Sequence, residues 1–174
     1  MSDIPEFEPD EVELTEVIEN DEEAPTERSA ARRAALQVLY EVDAARHNVG
    51  DVISARLQEP PQLSKRAVRY LRRLVTGVME NRDRLDGIIR QYAPEWPLEQ
   101  VAIVDRNILR IAMYELGAQV GTPVGVVIAE AVELAGLFGA EGAPRFVNGV
   151  LGALADNLDP IRQMFMPEPP ETGE

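Results

Sequence analysis

The chain has 174 residues, enough for one domain of ordinary size with a real core, and 45% of them are hydrophobic. It contains no cysteine, which excludes disulfides and thiolate metal sites. The formal net charge is −14, but residues 1–27 hold twelve acids and no base, and 163–174 add Glu168, Glu171 and Glu174. Residues 28–162 therefore set 16 acids against all 17 bases, and this near-neutral body does not exclude a nucleic-acid partner.

The first 25 residues are acidic, carry Pro5, Pro9 and Pro25, and have few large apolar side chains. Such a segment buries too little surface to offset its ordering entropy, so it is expected to be a disordered extension. The same holds for a C-terminal tail over 163–174. Between them, 26–162 form one domain. No apolar run is long enough for a membrane span, and the acidic start does not suit a signal peptide, so a soluble, cytoplasmic protein is expected.

A first helix is expected from Thr26 to about Arg46. Ala31, Ala35, Val38, Leu39, Val42 and Ala45 form its core stripe. Arg32 and Arg33 lie off that stripe. Tyr40 lies opposite it, with Leu36 and Arg33 as neighbours. A short helix over 51–58 ends at Pro60-Pro61. A long helical stretch over 65–92 carries Val68, Leu71, Leu74, Val75, Val78, Leu85, Ile88 and Ile89, with a kink or break at 81–83. Trp96 sits in a turn between Pro94 and Pro97. Helices then run over about 98–118, 123–138 and 144–158, with Pro123 and Pro144 suited to first turns. Period-two alternation persists nowhere, so the fold class is all-α. Phe138, Val147, Val150, Leu151 and Leu154 fit a core by spacing.

Catalysis finds little support, and no cofactor is expected. His47 is the single histidine and falls at a helix end, where a solvated ring is favourable. No glycine-rich phosphate loop occurs. One of Glu130 and Glu133 is expected to be partly buried and paired with an arginine such as Arg110. The bases are more telling. Arg28, Arg32 and Arg33 open the first helix against its macrodipole; Lys65, Arg66, Arg69, Arg72 and Arg73 form a second cluster; Arg106 and Arg110 are one turn apart. Each cluster alone reads as a solvated face. Together on a near-neutral body they admit RNA or DNA. Phe146, beside Arg145, fits either the edge of a core or a stacking platform for an unstacked base.

Several segments are more specific. RRAALQVLY (32–40) is followed by YLRRLVTGVMENRDRLDGII (70–89), Trp96-Pro97, VDRNILRIAMYEL (104–116), the P-V-x-V-V-I-A-E-A-V-E-L-A-x-x-F-G run of 123–139 and RFVNGVL (145–151). In this order and spacing they resemble the NusB family of bacterial transcription antitermination factors, over about residues 28–160. The resemblance implies two small helical bundles packed across each other and a role without catalysis. It implies a pairing with the ribosomal protein NusE, binding of single-stranded boxA RNA in ribosomal RNA transcripts, and assembly into an antitermination complex on RNA polymerase. It assigns RNA contact to Arg32, Arg33, Arg145 and Phe146, to which the basic clusters add Arg28 and Arg106 as candidates, and contact with NusE to Tyr40 and Asp105. It makes Arg110 and Glu130 mainly architectural. Ala129 and Gly142 depart from the family pattern, which usually has asparagine at the first and admits an acid at the second. The same module also opens a ribosomal RNA cytosine methyltransferase, but this chain carries no Rossmann-like remainder. The alternative is a homodimeric helical scaffold with weak or no RNA binding.

Overall fold

The computed structural model describes residues 9–167, with side chains from residue 27 onward. It consists of α1 (Pro9–Ala45), α2 (Val49–Gln58), α3 (Lys65–Glu80), α4 (Arg82–Tyr92), a 3-10 turn (Leu98–Gln100), α5 (Ile103–Ala118), α6 (Val124–Phe138), α7 (Ala143–Ala155) and α8 (Asp159–Met164). No strand occurs among the described residues. Local chemistry sets several boundaries. Asn48 Oδ1 accepts from the Gly50 and Asp51 amides at the start of α2. Ser64 Oγ accepts from the Ala67 amide at the start of α3. The expected break falls at Asn81, whose side-chain amide donates to the Gly77 carbonyl and parts α3 from α4.

Three boundaries differ from the sequence reading; the helix expected from about 98 begins at Ile103, after a separate 3-10 turn. The backbone of α1 starts at Pro9 rather than near Thr26, because extending a helix costs far less than nucleating one. The side chains of 9–26, and the whole of 1–8 and 168–174, lie outside the described residues, so most of the two expected tails falls there. At the other end the body continues past 162. Phe165 packs edge-on against Tyr114, with ring centroids 5.6 Å apart. Gly77 and Gly117 make room for this pair: a Cβ on either would meet the Tyr114 or the Phe165 ring within 2.5 Å.

The hub is α5, which packs on α1, α3, α4, α6, α7 and α8. Ile108, Leu109, Ile111, Ala112, Met113 and Leu116 are buried along it. So are four polar residues, Asp105, Asn107, Arg110 and Glu115, because a hub helix has no solvent face to carry them. Buried charges need partners. Arg110 binds Asp86 of α4 in a two-pronged pair at 2.7 and 3.1 Å, and reaches Asp43 of α1 at 3.1 Å. Glu115 takes Arg32 of α1, at 2.7 and 3.2 Å. These two ion-pair clusters fix how α1 and α4 sit on α5.

Asp43 also meets Arg82 at 2.9 Å and Arg106 at 3.8 Å. Burial works to raise its carboxyl, but the Arg110 hydrogen bond and the three guanidinium charges outweigh it and hold the group below its usual range. A depressed carboxyl stabilises the fold above its unfolded value of about 4, and that contribution is lost as pH falls through the lower folded value. Urea unfolding is therefore expected to show stability falling below about pH 4. Asp43→Asn should flatten that fall.

Candidate RNA and protein-binding face

Two adjoining clefts meet at the N-terminus of α5. The first, of ≈ 420 Å³, is lined by Trp96, Gln100, Val101, Ala102, Asp105, Gly142, Arg145 and Phe146. Pro144 enters α7 in its first turn and presents Arg145 outward, while Phe146 packs half-buried against the core. Trp96, in the turn before α5, is 57% exposed. The cleft thus offers two aromatic faces, one exposed guanidinium and one carboxylate. Asp105 is buried, and its Oδ1 has no hydrogen-bond partner. Burial pushes its carboxyl above the usual range. A desolvated carboxylate oxygen without a donor costs stability.

The second cleft is lined by Leu36, Gln37, Tyr40, Glu41, Ala44, Ala45, Val104 and Phe138. Val104 of this cleft and Asp105 of the first are consecutive on α5. The two clefts also meet at the end of α6, where a Cβ on Gly139 would stand 3.2 Å from Asp105 Oδ1. Tyr40 is 45% exposed, as expected of a residue opposite the core stripe. Phe138 is not in the core as its spacing predicted: it is 42% exposed, because α6 ends there and Gly139 turns the chain away. A tyrosine, a phenylalanine and a valine around a concave apolar surface are anchors of the kind protein interfaces use.

The other candidate residues divide sharply. Arg32 is 3% exposed, so its placement off the core stripe does not hold. The buried face of α1 is wider than one stripe because the helix packs on α2, α3 and α5 together, and it takes in Leu36 as well. With its donors on Glu115, and Glu130 3.7 Å away, Arg32 has no surface for RNA. Glu130 is thus paired, as expected of one of the two glutamates, but by Arg32 and Ser29 rather than Arg110. Arg28 donates to Thr122 Oγ1 at 2.6 Å and lies 4.7 Å over the Tyr70 ring. Arg106 is mostly covered, held between Asp43 and the Leu98 carbonyl. Arg33 is exposed and only loosely paired, 4.0 Å from Glu133. Of the six arginine and phenylalanine candidates, the structure joins Arg145 with Phe146 in one cleft; Arg28 and Arg33 stand apart on α1. Sequence reasoning missed Trp96, Val104 and Phe138 as parts of this face. The proline-bracketed turn was a usable signal for Trp96.

An all-helical fold built on one hub helix, with an aromatic and arginine-lined cleft beside an apolar one, defines a helical binding module. Residues 29–156 match the family model described as NusB family. The chain belongs to the NusB family. It is 45% identical over 133 residues to the transcription antitermination protein NusB of Dehalococcoides mccartyi (strain CBDB1), covering 76% of this chain and 92% of that protein. The corresponding protein of Chloroflexus aggregans is 47% identical, over 74% of this chain and 87% of its own. Among solved structures, NusB from T. maritima superposes with a TM-score of 0.67 at 32% identity, covering 81% of this chain and 94% of that one. A chain from a crystal structure of the antitermination factors NusB and NusE in complex with dsRNA superposes with a TM-score of 0.68 at 29% identity, covering 80% of this chain and 98% of that one.

Proposed function

We propose that the protein is a transcription antitermination factor that binds the boxA element of ribosomal RNA transcripts together with NusE, within the antitermination complex on RNA polymerase. The observation that carries this reading is the pair of adjoining clefts. One has the chemistry of single-stranded RNA, with Phe146 and Trp96 to stack on bases and Arg145 to meet a phosphate. The other has the chemistry of a protein anchor, in Tyr40 and Phe138. Consecutive residues of α5 line both, so a partner in the second cleft borders RNA in the first and is expected to strengthen its binding. The relative crystallised with NusE held double-stranded RNA; the stacking faces here favour an unpaired strand.

The test is binding of boxA RNA and a scrambled RNA across a salt series, with NusE present. The expected result is preference for boxA, with log affinity falling linearly with log salt. Equal affinity for the two RNAs would remove the selective reading.

Tyr40→Ala is expected to weaken NusE about tenfold, the scale of a modest interface anchor, with melting temperature unchanged because the ring is half exposed. Calorimetry checks both. A second reading, a homodimeric scaffold, draws on Val126 and Leu137, exposed on α6 along with Phe138. Sedimentation of the isolated protein decides it: a stable dimer that does not dissociate on adding NusE and RNA would favour the scaffold.

A further inference from the structure

Five arginines face a carboxylate among the described residues: Arg32, Arg33, Arg82, Arg106 and Arg110. Four bases of α3 do not. Lys65, Arg69, Arg72 and Arg73 are exposed, and none forms an ion pair with a carboxylate among the described residues. The helix has no acid in its first turn, where the macrodipole favours one, so helix stability does not account for bases there. The last two of these arginines open into a pocket of ≈ 640 Å³ between α3, the C-terminus of α5 and α8. Arg162 of α8 also lines it, and Glu80 is its one acid. Arg162 Nε is buried without a hydrogen-bond partner, an arrangement that leaves a desolvated donor short of an acceptor. Tyr114, braced by Phe165, forms an aromatic wall. Three guanidiniums, an orphaned N–H and a ring face converge here, away from both clefts described above.

We propose that this pocket is a second RNA site, which takes phosphates of the strand flanking the selected element, with Arg72, Arg73 and Arg162 as its ligands. The inference rests on the RNA-binding reading above. Arg69 and Arg73 are one turn apart and carry a strand along α3 toward the pocket. Arg28 of α1 lies over Tyr70, one turn before Arg73 and Leu74, and so links the α1 arginines to this ridge. Arginine suits the role, because its planar fork meets phosphate oxygens two at a time.

The experiment compares two RNAs in the presence of NusE: boxA alone, and boxA extended by several nucleotides on each side. Each is titrated against the wild-type chain, Arg72→Gln/Arg73→Gln, and the charge-matched control Arg56→Gln/Arg90→Gln. Wild type should bind the longer RNA more tightly, and this advantage should shrink roughly sevenfold between 50 and 200 mM salt, as two single-strand phosphate contacts require. The α3 variant should lose the advantage and bind boxA alone as wild type does; the control should keep it. Arg162→Lys retains the charge but not the fork, and should lose part of the advantage. The site is overturned if the wild type gains nothing from the longer RNA, or if the α3 variant weakens both RNAs equally. Failure of every form to bind boxA alone would instead overturn the RNA-binding reading, and this site with it. Inorganic phosphate serves as a third probe. If it protects Arg72 and Arg73 from a guanidine-modifying reagent but the longer RNA does not, the pocket binds a small anion and the RNA assignment is overturned.

Discussion

Arg32→Ala is expected to destabilise the protein by about 3–5 kcal/mol, because it leaves the Glu115 carboxylate buried without its partner. The Arg32 and Glu115 side chains are 4% and 0% exposed, and they meet in a two-pronged pair at 2.7 and 3.2 Å. Against a total stability of about 5–15 kcal/mol this is a large share. For a chain of this size it corresponds to a fall in melting temperature of roughly 6–20 °C. Arg33→Ala, one residue on, should change stability by no more than about 0.5 kcal/mol, since Arg33 is exposed and Glu133 stands 4.0 Å away. Replacing both charges, as Arg32→Met with Glu115→Leu, should recover most of the loss, because the pair's geometry matters less than the absence of an unpaired charge. Thermal melts of the four proteins check this. An Arg32→Ala protein that melts with the wild type would return Arg32 to the surface.

Phe146→Ala is expected to weaken boxA RNA by about 1–3 kcal/mol, the usual loss for one base-stacking ring, which is roughly five- to 150-fold in affinity. Phe146 is half-buried, so a melting curve must accompany the binding measurement. Phe146→Tyr keeps the ring face and should retain most of the affinity. Arg145→Ala, which removes a phosphate contact and no ring, should instead reduce the salt slope by about 0.7. Unchanged RNA affinity in Phe146→Ala would assign that ring to packing alone.

The helices were legible because their signals are local. Apolar spacing over 65–92 and 104–116 and the break at Pro60-Pro61 each act within a few residues, and the structure places boundaries close to where these signals fall. Tyr40 was legible as an outward aromatic because one helical stripe sufficed to orient it. The specific run RFVNGVL carried Arg145 and Phe146 to the same cleft.

What the sequence by itself determined is therefore the all-helical class, the family, and the residue types available for binding. What only the tertiary structure decided is which of those residues are free to bind. Arg32 and Arg33 are neighbours in sequence, yet one is sealed on Glu115 of α5, 83 positions away, and the other is exposed. Arg110, Arg72 and Arg73 have the same side chain, yet Asp86 and Asp43 consume the charge of the first while no carboxylate among the described residues pairs with the other two. Charge alone does not distinguish these cases. Whether a guanidinium is a structural cation or a ligand for an anion depends on whether a partner from a distant helix reaches it, and that is a property of packing around α5, not of any local run of residues.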